Sequence, residues 1–295
     1  LVGVRSAGKI KIITITAVFA FASVIYALSI PNQFKATAIL APAQSSDGGL
    51  PKALGQLGGL ASLAGVNIRG GSGSSEGKIA QEIMKSWGFI EGFIVDNNLA
   101  LELSAVSGWS KESNELEINE NIYDTKNKQW VGESASGKTG SPSSWNLFKA
   151  FSRRLAVSEN RDSGLVSVSI EYYSPFIAKQ WVDMYVESIN HFMQQRQVDK
   201  VSRNIEYLQK QIEKTSIAEM REVFYTIIEE QTKSKMLAEA SPEYAFVVVS
   251  PSMVPEEKST PNRASICILI TLLGGILSVV LVLVMHYARD FGETK

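Results

Sequence analysis

Two long apolar runs lie near the two ends of the chain, and a mostly polar stretch separates them. Residues 12–30 and residues 264–287 contain no Asp, Glu, Lys or Arg. At 1.5 Å per residue, each run is long enough as a helix to cross a hydrocarbon core of about 30 Å. The pattern therefore predicts two transmembrane helices, 12–30 and 264–287, that flank one domain formed by residues 32–262.

The first run has a second interpretation, because a cleaved signal peptide also combines a basic start with an apolar centre. Its length and the absence of a small-x-small cleavage site around Ile30 favour a retained helix. Arg5, Lys9 and Lys11 precede this helix, whereas Lys35 is the one basic residue close behind it. The positive-inside rule then places residues 1–11 and 288–295 in the cytoplasm and the domain outside, which is the periplasm if the organism is a Gram-negative bacterium.

The domain between the runs mixes strand and helix patterns. Alternation predicts strands at Gln33–Leu40 and Leu165–Tyr172, and residues 245–249 form a further short apolar run. Helical spacing predicts helices over Lys78–Leu101, broken at Gly88, and over Leu147–Leu155. We expect residues 44–75, rich in glycine and serine with interleaved leucines, to form a mobile and partly helical loop. The fold class predicted is α+β.

Residues 176–240 contain neither glycine nor proline, and as a single helix they would be about 97 Å long. The strands before and after them are expected to join one sheet, so the chain has to turn back. The turn is predicted at Lys214–Ser216, where Ser216 and Glu219 have capping-box spacing. This gives a helical hairpin over about 175–240. Its first arm carries a coiled-coil-like set of apolar residues at 3-4-3-4 spacing, here called the hairpin seam: Val198, Val201, Ile205, Leu208 and Ile212.

Charge and composition exclude several functions. The net charge of −1 gives no basic face for nucleic acid. One cysteine and two distant histidines make a metal site improbable, and no cofactor is expected. Residues 132–139 fit the P-loop pattern G-x-x-x-x-G-K-[ST], but Gly140 and Pro142 follow where the motif requires a helix. We interpret this segment as a flexible loop. No arrangement of a nucleophile and a base stands out, so we predict that the protein is not an enzyme.

The approach to the second run is more specific. Pro251, Pro255 and Pro261 withhold the backbone donors of a regular helix or strand, which predicts an extended connection to the membrane. Inside the run, Gly274, Gly275 and Ser278 are small residues that let another transmembrane helix approach closely.

Together these residues resemble the Wzz-type polysaccharide co-polymerases, which determine the chain length of bacterial surface polysaccharides. That family has a proline-rich lead-in, then S-P-K, eleven residues, and a glycine-rich run within its second transmembrane helix. Here Thr260-Pro261-Asn262 takes the place of S-P-K, and eleven residues lead from it to Gly274. Thr and Asn replace Ser and Lys, and Val279-Val280 replaces the final Ala-Gly of the glycine-rich run.

The resemblance implies an α/β base near the inner membrane, a projecting helical trunk and assembly into a homo-oligomeric ring. It implies a partner, the polysaccharide polymerase of the same membrane, and a role in setting the modal length of O-antigen or a related polymer. On this reading the hairpin seam packs against neighbouring subunits, and the glycine pair contacts a transmembrane helix of another subunit or of the polymerase. Whether the growing glycan touches the domain stays open. The alternatives are a two-span extracytoplasmic sensor, for which residues 288–295 give no output module, and an export-complex adaptor.

Overall fold

The computed structural model describes residues 2–43, 72–131 and 140–292. The predicted loop at 44–75 lies almost wholly outside these residues, as does the P-loop-like segment 132–139. The helices are α1 Val2–Ser29, α2 Ser72–Lys85, α3 Trp87–Asp96, α4 Ala100–Ser104, α5 Ser144–Ser152, α6 Pro175–Lys214, α7 Ala218–Glu239 and α8 Arg263–Gly292. The strands are β1 Phe34–Pro42, β2 Val106–Trp109, β3 Leu116–Ile118, β4 Tyr123–Asp124, β5 Gln129–Trp130, β6 Leu155–Glu159, β7 Val166–Tyr172 and β8 Phe246–Ser250. The α+β class is confirmed.

A four-stranded antiparallel sheet in the order β6-β7-β1-β8 forms the base of the domain. The predicted strands at 33–40, 165–172 and 245–249 are β1, β7 and β8. Phe34 lies opposite Tyr172 at the end of β1 next to α1, and Pro42 lies opposite Phe246 at the far end. The inward face of β1 is almost fully buried, as the alternation predicted. Helix α6 packs against both β1 and β7.

The hairpin is confirmed. α6 starts beside the α1 end of the sheet, follows the sheet, and continues beyond it for about 30 Å. α7 then returns along α6, and the side chain of Gln194 donates to the carbonyls of Ala238 (2.9 Å) and Ser241 (3.1 Å). Because β1 starts next to α1 and ends next to the root of the hairpin, the hairpin and α1 extend from opposite ends of the sheet.

The capping box predicted at the tip of the hairpin is wrong. Thr215 closes α6 by donating its hydroxyl to the carbonyl of Gln211 at 2.8 Å. Helix α7 starts at Ala218 with Ile217 as N-cap, and no side chain bonds to this cap. Glu219 is therefore the second residue of α7, one position too early for the reciprocal bond of a capping box.

The break predicted at Gly88 occurs two residues earlier, at Ser86. Ser86 has extended backbone angles (φ −71°, ψ 147°), and its hydroxyl accepts a bond from the amide of Phe89 at 3.4 Å. This is the N-cap arrangement, and it starts α3 at Trp87 with Gly88 inside the first turn. The helix predicted at 147–155 is α5, which begins at Ser144 and ends at Ser152.

Two buried tyrosines hold the helices to the sheet. The hydroxyl of Tyr185 donates to the carbonyl of Met84, and that of Tyr172 donates to the carbonyl of Glu102 at 2.8 Å. The Tyr185 ring contacts Phe89, Phe93 and Phe151 edge-on or tilted. Burial raises the pKa of both phenols above the ordinary value near 10.

Alkaline pH is therefore expected to lower the stability of the domain. Because the folded protein holds these phenolic protons more tightly than the unfolded chain, its stability is complete below about pH 10 and falls as the pH rises further. Circular dichroism melts of the chain in neutral detergent at pH 8 and pH 11 measure this loss. Tyr185→Phe should make the loss smaller, whereas the control Tyr207→Phe, at a site 62% exposed, should leave it unchanged. If the wild type, Tyr185→Phe and Tyr207→Phe all lost the same stability between pH 8 and pH 11, the buried phenol of Tyr185 would not be the cause of the loss.

Candidate functional site: the contact between the two apolar helices

Helices α1 and α8 pack against each other, and the small residues predicted for helix packing lie in this contact. A Cβ atom added to Gly274 would lie 2.5 Å from both Cβ and Cγ of Phe19 in α1. A Cβ added to Gly275 would meet Cγ2 of Thr16 at 3.9 Å, which is an ordinary contact. The two neighbouring glycines are therefore not equivalent, because only Gly274 sits where a side chain would collide with α1.

Ser278 continues the same face one turn further along α8 and is fully buried. Its hydroxyl oxygen lies 2.7 Å from the carbonyl of Gly275 and 3.2 Å from Oγ1 of Thr16. Hydrogen bonds of this kind join helices in an apolar environment, where an unpartnered hydroxyl would be costly. The predicted helix-packing residues thus meet the first apolar helix of the same chain. A contact with another subunit or with a polymerase stays a prediction.

Arg263 joins the two helices at the end of the contact that adjoins the sheet. Its Nε donates to the carbonyl of Ala27 and its Nη2 to Oδ1 of Asn32, both at 3.1 Å. The carbonyl of Ala27 belongs to the last turn of α1. Carbonyl groups in the last turn of a helix have no hydrogen-bond partner inside that helix. The guanidinium therefore caps α1 and links the end of one apolar helix to the start of the other.

A short backbone bridge adds to this connection. The amide of Gln33 donates to the carbonyl of Thr260 at 2.8 Å, and the amide of Ser259 donates to the carbonyl of Gln33 at 2.8 Å. The chain segments that connect the helices to the sheet are thus bonded to each other before β1 begins.

The three prolines of the lead-in lie in the segment between β8 and α8, to which the structure assigns no helix or strand apart from a single bridge at Thr260. The Thr260–Pro261 peptide bond is cis. Polar side chains attach the segment to the base: the hydroxyl of Ser252 donates to Asp183 (2.5 Å), and that of Ser259 donates to Glu171 (2.7 Å). The particular role of Pro251, Pro255 and Pro261 stays a prediction.

The hairpin seam faces α7 of the same chain. Val201 is 2% exposed, and Val198, Ile205, Leu208 and Ile212 are half-buried, in the part of α6 that packs against α7. The return arm of the hairpin packs against this part of α6, because two amphipathic helices joined by a short turn bury apolar surface against each other. A contact of the hairpin seam with neighbouring subunits stays a prediction.

Several residues of the helix contact were missed by sequence reasoning: Thr16, Phe19, Ser23, Ala27 and Arg263. A signal for them exists in α1, where Thr16, Ala20, Ser23 and Ala27 recur at 4-3-4 spacing as a stripe of small residues. Ser23 and Ala27 are each 1% exposed. The stripe was overlooked because the first apolar run was assessed by length and charge alone.

Within the described residues, Arg263–Val282 is a helix long and apolar enough to cross a membrane, by length and composition. The apolar part of α1, Ile13–Ser29, is a shorter apolar helix. No group of three or more His, Cys, Asp and Glu side chains in the described ranges could hold a metal ion. His191 is exposed on α6.

The fold and the helix contact define the class of this protein: an α+β protein with a candidate membrane helix, a small sheet and a long helical hairpin. Residues 1–96 match the family model of the chain length determinant proteins, Wzz. This match confirms the resemblance to the Wzz-type co-polymerases that the sequence indicated. No curated protein matches the sequence.

Solved structures that are similar to the chain at low sequence identity include the following three. One is a full-length bacterial polysaccharide co-polymerase, 13% identical with a TM-score of 0.42 over 99% of this chain and 98% of that chain. The second is a fragment of the polysaccharide co-polymerase WzzB from Salmonella Typhimurium, 11% identical with a TM-score of 0.29 over 78% of this chain and 100% of that chain. The third is a mutant of the Shigella flexneri lipopolysaccharide O-antigen chain-length regulator, 9% identical with a TM-score of 0.20 over 77% of this chain and 100% of that chain.

Proposed function

We propose that this protein sets the modal chain length of a bacterial surface polysaccharide, O-antigen or a related polymer. It acts as a non-enzymatic co-polymerase beside the polymerase that builds the chain, without a cofactor. The observation that carries the proposal is the match of residues 1–96 to the chain length determinant family. The motif around Pro261 and Gly274 supports it from the other end of the chain.

The proposed topology has two transmembrane helices in the inner membrane, α1 and α8, with both termini in the cytoplasm and the main domain in the periplasm. The contact between α1 and α8 supports this, because Arg263 meets Ala27 and Asn32 at the level where both apolar runs end. A helix that lies beside a transmembrane helix along its length is expected to cross the same bilayer. The basic residues before α1 support the orientation.

A homo-oligomeric ring is part of the proposal. Since Val201 is buried inside one chain, the exposed faces of the hairpin are further candidates for contacts with neighbouring subunits. Large apolar side chains are exposed there, near the tip and along α7: Tyr207, Ile217, Met220, Val223 and Tyr225. A contiguous patch of exposed apolar residues is typical of a protein interface.

A polysaccharide ladder on a gel tests the function. A strain that lacks this protein but keeps its native polymerase should give a broad length distribution, and expression of the protein should gather it into a modal cluster. Val201→Asp, which puts a charge into the hairpin seam, should return the broad distribution, whereas Asn204→Asp on the exposed side of α6 should keep the mode. An unchanged ladder on expression of the wild-type protein would refute the proposed function.

A further inference from the structure

A cavity of about 440 Å³ lies at the end of the sheet next to α1, lined by Gln33, Leu103, Ala150, Arg153 and Arg154. Its volume is within the range of small-ligand sites. We call it the interfacial cavity because Gln33 is three residues beyond Ile30, where the first apolar run ends. Three extended residues reach at most about 11 Å, so Gln33 lies at the level of the lipid headgroups if the proposed membrane topology holds.

Both arginines of the interfacial cavity are available to an anion. Nε of Arg153 donates to the carbonyl of Lys149 at 3.2 Å, and Nη1 of Arg154 donates to the carbonyl of Ala150 at 2.8 Å. A guanidinium has five N–H donors, so these bonds leave most of them free. Neither arginine forms an ion pair with any residue in the ranges that the structure describes.

The charges around the arginines are mixed. Lys149 is a third cation on α5, with its Nζ 5.9 Å from the centroid of the Trp145 ring. Glu102 and Glu171 are carboxylates on the elements that adjoin Arg154, and Oε2 of Glu102 is buried without a hydrogen-bond partner. The carboxylate of Glu171 accepts the hydroxyl of Ser259, which draws it to the lead-in segment. The arginines, rather than the carboxylates, line the interfacial cavity.

Arg154 is held in place before any ligand arrives. Its guanidinium lies 5.9 Å from the ring centroids of both Tyr172 and Tyr173. Contact with aromatic faces and the bond to the end of α5 fix the orientation of the planar group. A preorganised guanidinium loses little conformational entropy when it binds, which favours affinity.

Aromatic side chains occupy the same level of the protein. Phe34 follows Gln33 directly, and its ring contacts that of Trp109 edge-on at 5.8 Å. Trp109 in turn contacts Phe176, which is 51% exposed. Tryptophan and other aromatic residues are typical of the boundary between lipid and water. Arginines beside such a group of aromatic residues fit a lipid surface better than a free solute.

We propose that the interfacial cavity binds the phosphate of an anionic lipid headgroup on the outer side of the membrane, with Arg153 and Arg154 donating to its oxygens. Phosphate oxygens accept the paired donors of guanidinium groups in this way. The bond would hold the base of the domain at a fixed height above the bilayer. The inference rests on the proposed membrane topology, but it does not depend on which polysaccharide is made.

The test uses the purified full chain in a neutral detergent, with the thermal midpoint followed during titration with dihexanoyl phosphatidylglycerol. Saturation should raise the midpoint by several degrees, because the lipid binds the folded state. The double variant Arg153→Gln and Arg154→Gln should weaken binding at least tenfold. A matched pair, Arg161→Gln and Arg203→Gln, removes the same charge from exposed sites far from the cavity and should bind as wild type does.

Two further comparisons identify the source of the phosphate and the role of the arginines. Inorganic phosphate and pyrophosphate should give no shift at the same concentration, and equal binding of either would refute the lipid assignment. Arg153→Lys with Arg154→Lys keeps the charge but loses the paired donors, so it should weaken binding several-fold while leaving the protein folded. If the Gln and Lys variants both bind phosphatidylglycerol as wild type does, the arginines only cap α5 and the proposal is wrong. Because no polysaccharide is present, this result is independent of the ladder experiment.

Discussion

Gly274→Ala is expected to separate α1 from α8, whereas Gly275→Ala is expected to leave them packed. The added methyl group at position 274 would lie 2.5 Å from Cβ and Cγ of Phe19, the atoms of that side chain that are least able to move aside. Overpacking of this kind costs about 1–3 kcal/mol. At position 275 the nearest atom would be 3.9 Å away, and alanine is intrinsically the better helix former. Adjacent glycines should thus give opposite results.

The native Cys267 offers a direct measurement of this contact. Arg263 meets Ala27 and Gly274 meets Phe19, so the antiparallel register places Ser23 close to Cys267. A Ser23→Cys protein should therefore form an internal disulfide on mild oxidation, visible as a shift on a non-reducing gel. Gly274→Ala should lower the cross-linked fraction several-fold, and Gly275→Ala should not change it.

A second substitution, at Phe19, tests whether Gly274 and Phe19 are in direct contact. Phe19→Gly removes both the Cβ and the ring that the methyl group of Gly274→Ala would strike, so the double variant should recover much of the cross-linking that Gly274→Ala loses. Such recovery is the signature of two side chains in contact, because independent sites would add their effects. Equal cross-linking in the Gly274→Ala and Gly275→Ala proteins would show that α1 and α8 do not pack as described.

The strands and the hairpin could be predicted from the sequence because each is encoded locally. Alternation in residues 33–40 and 165–172 predicts strands with one buried face, and the structure buries Ala36, Ala38 and Leu40 in β1. The long run without glycine or proline predicts helix, and the need to return to the sheet predicts a turn. These inferences use periodicity and chain continuity, which a single sequence contains.

The sequence does not show which element packs against a given face of a helix. The hairpin seam shows an apolar stripe, but the stripe does not say which helix covers it, and the covering helix proved to be α7. Likewise, Gly274 indicates a close approach without naming Phe19 as the neighbour. Helix ends were displaced by one or two residues: the break predicted at Gly88 lies at Ser86, which caps α3, and Ser216, predicted as a cap, does not cap α7.

The largest loss of stability among the polar residues is expected for Asn190→Ala. Asn190 is 4% exposed on α6, where the hairpin leaves the sheet. Its Nδ2 donates to the carbonyl of Phe246 at 2.9 Å, and its Oδ1 accepts from the amides of Ala245 (2.9 Å) and Phe246 (2.8 Å). Alanine would leave three buried backbone groups without these partners. At about 1–3 kcal/mol for each buried group left unpaired, with partial relaxation, a total near 3 kcal/mol is expected.

Thermal unfolding of the chain in neutral detergent measures the total loss of stability caused by Asn190→Ala, with Asn204→Ala as the control on the exposed side of the same helix. Amide hydrogen exchange shows in which elements the stability is lost. Since Asn190 and Gln194 together attach the returning chain to α6, exchange should rise in β8 and at the end of α7. It should rise less in β6 and β7, which pair with each other and need no contact with Asn190. A uniform increase over the whole sheet would mean that Asn190 stabilises the domain generally, and that the hairpin is not specifically tied to the sheet at this residue.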